Sequence, residues 1–93
     1  MPKLNYKGVP YVDSLYVNSQ TVITGTGLCW IIVTNTGDTA KELNISDGEE
    51  LILKLMIPPY DSRSFHFEPS ILMETSINIS KIQNPLTALV GYI

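Results

Sequence analysis

Asp61, Ser62 and His66 bring together the three residue types of a hydrolytic triad, the nearest this chain comes to a catalytic motif. A nucleophile and its base must stand within about 3 Å of each other. Ser62, Ser64 and His66 fall on one face of an extended run, where residues two apart are about 6.6–7 Å apart. No Gly-x-Ser-x-Gly elbow lifts a serine onto a turn. His66 therefore reads as a polar surface or interface residue, and no catalytic residue is expected.

Metal and phosphate chemistry fare no better. The chain has one histidine and one cysteine, too few for a structural zinc site. Cys29 sits inside the apolar run Leu28-Cys29-Trp30-Ile31-Ile32-Val33, with no basic neighbour to activate a thiolate. It reads as a small buried hydrophobe. Asp47-Gly48-Glu49-Glu50 gathers three carboxylates, but not at the alternate positions a calcium loop requires. It reads as a solvated hairpin turn. Gly25-Thr26-Gly27 lacks the lysine and following helix of a phosphate-binding loop. Tyr16, Tyr60 and Tyr92 could form a stacking platform for a sugar, or simply pack at an edge or interface. No cofactor and no metal are expected.

The composition narrows the class further. Ninety-three residues make one domain. A domain of this size buries roughly 60–65% of its unfolded surface, so its core is thin. The formal charge is −3, and the six basic residues (Lys3, Lys7, Lys41, Lys54, Arg63, Lys81) are scattered. Nucleic-acid binding, which needs clustered cations, is not expected. Only 16% of residues are charged against 44% hydrophobic. Small soluble domains usually carry about a quarter charged residues, so part of this surface is expected to be covered by a partner or by copies of the chain. No apolar run approaches the roughly 18–20 residues of a membrane helix. Met1-Pro2-Lys3-Leu4-Asn5-Tyr6 has no hydrophobic signal core. The sequons Asn44-Ile45-Ser46 and Asn78-Ile79-Ser80 read as chance. One unpaired cysteine suits a reducing compartment.

These residues must be carried by strands. From Ser14 on, β-branched runs alternate with turn residues, which marks an all-β sandwich or barrel. The runs are Ser14–Val17, continuing toward Thr21–Ile23; Leu28–Thr34; Thr39–Ser46; Leu51–Ile57; Ser62–Phe67; Ile71–Ile79; and Leu86–Ile93. Asn35-Thr36-Gly37-Asp38 reads as a hairpin using positive φ, and Asp47-Gly48 as a second turn. Glu68-Pro69-Ser70 reads as a break, with room for one helical turn near Ser70–Met73. Trp30 is expected in the core and Cys29 on the opposite sheet face. The fold expected is a single antiparallel β-sandwich, jelly-roll or Ig-like, of seven to eight strands over residues 14–93.

Residues 1–13 differ. Pro2, Gly8 and Pro10 discourage helix and central strand alike, so an extended N-terminal arm is expected. Leu4, Tyr6, Val9 and Tyr11 are its apolar side chains, the candidates for binding a neighbouring subunit. The arm is expected to serve docking rather than folding.

The turn-and-strand pattern resembles that of small β-sandwich virion proteins of tailed bacteriophages. A polar lead-in, Thr24-Gly25-Thr26-Gly27, precedes a hydrophobic strand ending in Asn, Leu28 to Asn35. A glycine turn at Gly37 and a strand leading into Asp47-Gly48 follow. Next come an apolar strand with a proline exit, Leu51 to Pro58, and a Ser/Phe-rich strand, Ser62 to Phe67. A terminal Leu-Thr-x-x-Val-x-Tyr strand, Leu86 to Tyr92, closes the pattern. Leu72-Met73-Glu74 departs from it, since related patterns often carry a glycine-rich loop there, and the arm lies outside it. The resemblance implies a non-enzymatic virion protein made in the host cytoplasm. The expected role is a capsid cement or decoration protein, a homotrimer bound to the major capsid protein or another virion protein. The alternative is a carbohydrate- or receptor-reading module, or another tail or fibre component. Neither nucleic acid nor membrane is an expected partner.

Overall fold

In the computed structural model the backbone is described for residues 3–6, 9–25 and 27–93, and side chains from Val12 onward except Thr26. The described residues form nine strands and no helix. These are β1 (Lys3–Tyr6), β2 (Val9–Val17), β3 (Thr21–Ile23), β4 (Gly27–Asn35), β5 (Lys41–Asp47), β6 (Glu50–Ile57), β7 (Asp61–Leu72), β8 (Ile77–Ser80) and β9 (Leu86–Tyr92). They build two antiparallel sheets, ordered β1-β2-β9-β4-β7 and β3-β8-β5-β6.

The pairing is nested. β5 pairs with β6, β4 with β7, β3 with β8 and β2 with β9. One long antiparallel ribbon, folded back at the β5–β6 turn, is thereby rolled into two layers. Alternation then sends one set of side chains from each sheet into a shared core. Ile31, Val33, Ala88 and Val90 come from the five-stranded sheet, and Leu43, Ile45, Ile57, Ile77 and Ile79 from the other. Burying each large aliphatic side chain contributes about 1.5–3 kcal/mol. The chain end is tied in as well, since Ile93 and Gly27 exchange backbone hydrogen bonds of 2.9 and 3.1 Å.

Several local expectations change. The link after β4 is not a hairpin, because β5 lies in the other sheet. Gly37 has no positive φ; a Cβ there would stand 2.5 Å from Pro85 Cγ, so close approach requires the glycine. Asn35 organises this crossover. Its amide donates to the carbonyls of Thr39, Ile57 and Pro58 at 2.8, 3.1 and 3.2 Å, and its Oδ1 accepts from Gly37 N at 2.9 Å. The Asp47-Gly48 turn does join a hairpin, with Gly48 at φ 60°. There is no helical turn at residues 70–73, since β7 runs through Pro69 to Leu72. Between the pairs Trp30↔His66 and Leu28↔Ile71, β7 leaves regular register with β4. Pro69 falls in that stretch, on an edge strand where its missing N–H breaks no ladder.

Trp30 is buried, as expected, but a bulge in β4 places it on the same side as Cys29 rather than opposite to it. Leu28 and Trp30 face Tyr92 and Gly91, consecutive residues of β9, so Cys29 is the extra residue. Leu28 and Ile31 stay in the inter-sheet core, while Cys29 and Trp30 share a second cluster with Val12. A strict two-residue alternation misses this shift.

The expected boundary between residues 13 and 14 falls inside β2. Of the two residues before it with described side chains, Val12 is fully buried in the second cluster and Asp13 is half-buried. This part of the arm belongs to the folded body rather than to a free docking segment.

Candidate interaction surface

The outward face of the five-stranded sheet can be read row by row from the register. One row runs Ser14, Gly91, Trp30, His66 across β2, β9, β4 and β7. The next runs Tyr16, Leu89, Ile32, Ser64. A third holds Thr87, Thr34 and Ser62. None of these residues is Lys, Arg, Asp or Glu. The middle row is apolar and open to solvent, with Tyr16 61%, Leu89 38% and Ile32 36% exposed. A hydroxyl pair, Thr34 Oγ1 and Ser62 Oγ at 3.0 Å, borders it.

Gly91 shapes the first row. A Cβ there would collide with Trp30 Cε2 and Nε1 and lie 2.6 Å from Cδ2. The indole thus covers a bare stretch of β9 backbone, and glycine is what lets it lie flat. This leaves Trp30 only 7% exposed although it lies outside the main core.

The outward face of the other sheet is different. Glu42 pairs with Lys54 at 3.4 Å and lies 3.9 Å from Lys81. The Lys54 contact is an ion pair without hydrogen-bond geometry, since Glu42 Oε1 has no hydrogen-bond partner. The two Asn-Ile-Ser tripeptides pair with each other there, Asn44 opposite Ser80 and Ser46 opposite Asn78. This face is charged and hydrophilic, with single exposed apolar residues such as Val22 and Met56.

The triad-type residues are engaged elsewhere. The Asp61 carboxylate accepts from Arg63 Nε at 2.7 Å and from Ser62 N at 2.9 Å, and both contacts hold it below the usual carboxylate range. Asp61 and Arg63 stand opposite Asn35 and Val33, whereas Ser62 and His66 stand opposite Thr34 and Trp30. Asp61 is thus on the other sheet face from Ser62 and His66. Of the three tyrosines, Tyr92 packs against the core, Tyr16 is on the outer face, and Tyr60 is on the turn after β6. They do not form one platform. Leu4, Tyr6, Val9 and Tyr11 lie on β1 and β2, with Leu4 opposite Val12 and Tyr6 opposite Val9. Their side chains lie outside the described residues.

Sequence reasoning read Asp47 only as part of a solvated hairpin turn. Its carboxylate accepts from Glu74 N at 2.7 Å, Thr75 N at 2.8 Å and Ser76 N at 3.2 Å. The turn after β5 thereby clips the loop between β7 and β8. These donors, Glu74 N first, lower the Asp47 pKa. Only the adjacent Asp-Gly turn was visible in sequence, because the donors are nearly thirty positions away.

Set against known proteins, the chain matches no family model, no curated protein and no solved structure.

Proposed function

We propose that the chain is a non-enzymatic structural protein of a phage particle, of the capsid cement or decoration kind, built as a jelly roll and assembled through the outer face of its five-stranded sheet. The nested pairing of β2–β9, β3–β8, β4–β7 and β5–β6 supports the jelly-roll reading. The class of particle rests on the turn-and-strand pattern described above. The observation that carries the reading is the run of three charge-free rows on the outer face, flanked by Glu68 on β7, with Tyr16, Leu89 and Ile32 open in one row. Interfaces exclude charge from their centres and favour aromatic residues, and exposed apolar patches mark contact sites.

The test is a comparison of purified particles made with and without the gene. Quantitative mass spectrometry should find the protein in stoichiometric copy number on gradient-purified particles. Particles lacking it should release their genome at a lower temperature. Its absence from purified particles would overturn the proposal. A glycan-reading module would instead stack a sugar on Tyr16, and thermal stabilisation by one member of a glycan panel would favour that reading.

A further inference from the structure

We infer that Asp47-Gly48 is a site of aspartate isomerisation that the fold holds unreactive, and that the reaction, once it occurs, shuts the chain out of the clip between the β5–β6 turn and the β7–β8 loop.

The residue types supply the chemistry. The Gly48 nitrogen attacks Cγ of Asp47: the N–Cγ bond forms, the carboxyl OH leaves, and the nitrogen's proton departs with it as water. Water then opens the resulting five-membered imide at the Asp47 carbonyl carbon, breaking that carbon's bond to the Gly48 nitrogen. The peptide now runs through Cβ and Cγ, and a free carboxylate is left on Cα. Glycine obstructs the attack least, because it has no side chain. Asp47-Gly48 is the one Asp-Gly pair in the chain.

The structure opposes each step. To be attacked, the carboxyl must turn toward Gly48 N and carry a proton. Glu74 N holds its Oδ2 at 2.7 Å, and Thr75 N and Ser76 N hold its Oδ1 at 2.8 and 3.2 Å. Such donors favour the charged form, which lacks the leaving OH. Gly48 N is itself engaged, donating to the Ser76 carbonyl at 3.3 Å. Asn78 ties the two sides together, accepting from Ser76 Oγ at 2.8 Å and donating to the Gly48 carbonyl at 2.6 Å. The reaction therefore waits for the clip to open, a local event whose free energy sets the rate.

The product does not fit the place it leaves. Asp47 is laddered on both sides, opposite Glu50 on β6 and Ile77 on β8. A backbone longer by one bond cannot keep both pairings. Its carboxylate, moved to Cα, is displaced from the three N–H groups. Each isomerised chain is left without the clip.

Ageing the full chain tests this, with isoaspartate at position 47 quantified by peptide mapping and electron-transfer fragmentation. The parent is aged in buffer and in urea at one pH and temperature. Two variants leave Asp47-Gly48 intact but remove a clip partner: Asn78→Ala, and Thr75→Pro, which deletes an N–H donor. Circular dichroism shows which of them is folded. Isoaspartate should form at least about tenfold faster in urea than in the native parent, with a folded variant in between. Equal rates in buffer and urea, no isoaspartate in urea, or a folded variant ageing no faster than the parent each overturn the inference. Chains carrying isoaspartate, separated and refolded, should melt below the parent. A melt equal to the parent's refutes the loss of the clip.

Discussion

The contact between Trp30 and Gly91 offers the sharpest test of the fold. Alanine at 91 adds one methyl, yet that methyl would overlap the five-membered ring of the indole. The ring cannot yield without leaving the cluster it forms with Val12 and Cys29. Overpacking of this kind costs about 1–3 kcal/mol. In a chain this small, each kcal/mol moves the melting temperature by about 4–8 °C. Gly91→Ala should therefore melt roughly 5–20 °C below the parent. Trp30→Leu alone removes the ring and should cost about 2–4 kcal/mol. In that background the clash is gone, and glycine in a strand is itself unfavourable by about 0.5–1 kcal/mol relative to alanine. Gly91→Ala should then be neutral or stabilising. Urea unfolding followed by far-UV circular dichroism gives all four corners of the cycle. The expected coupling is about 1.5–3 kcal/mol. If Gly91→Ala costs the same in both backgrounds, or nothing in the parent, the indole does not lie on Gly91 and the bulge assignment fails.

Further outcomes follow from individual residues. Asn35→Leu should cost about 3 kcal/mol in urea unfolding, because it leaves buried carbonyls and an N–H without partners; an unchanged midpoint would show that the crossover is held by other contacts. Asp47→Asn should lower the melting temperature at neutral pH. The native pKa of Asp47 is depressed below the unfolded value of about 3.9, so its contribution is full above that value and fades as pH falls through the native one. The gap between parent and variant should thus close in acid; a gap that persists there would have another cause. Burial raises the Cys29 pKa, so a thiol reagent should label it slowly in the native protein and at least tenfold faster in urea. Deleting residues 1–12 should lower the melting temperature, since Val12 covers Trp30; an unchanged melt would return the arm to a purely docking role.

The all-β architecture was legible in the sequence because short β-branched runs punctuated by Gly, Asn and Pro leave no window for a helix. The inward residues of β5, Leu43 and Ile45, could also be assigned, since they follow a plain period of two. Sequence alone also showed that charge is sparse. It could not show where charge is missing, because the charge-free rows are assembled from β2, β9, β4 and β7, which are distant in sequence. Wherever the period slips, local reading failed. The bulge at Cys29 turned Trp30 out of the inter-sheet core to join Cys29, and another between Ile45 and Ser46 placed Leu51 opposite Ser46 and left it exposed. Bulges are decided by packing against partner strands, which is a tertiary property. Asn35, Gly37 and Asp47 likewise read as turn formers, the role their local chemistry advertises. Their wider roles, clamping a crossover, clearing Pro85 and clipping a distant loop, depend on partners from 22 to 48 positions away. Only the folded chain brings those partners within hydrogen-bond or van der Waals range.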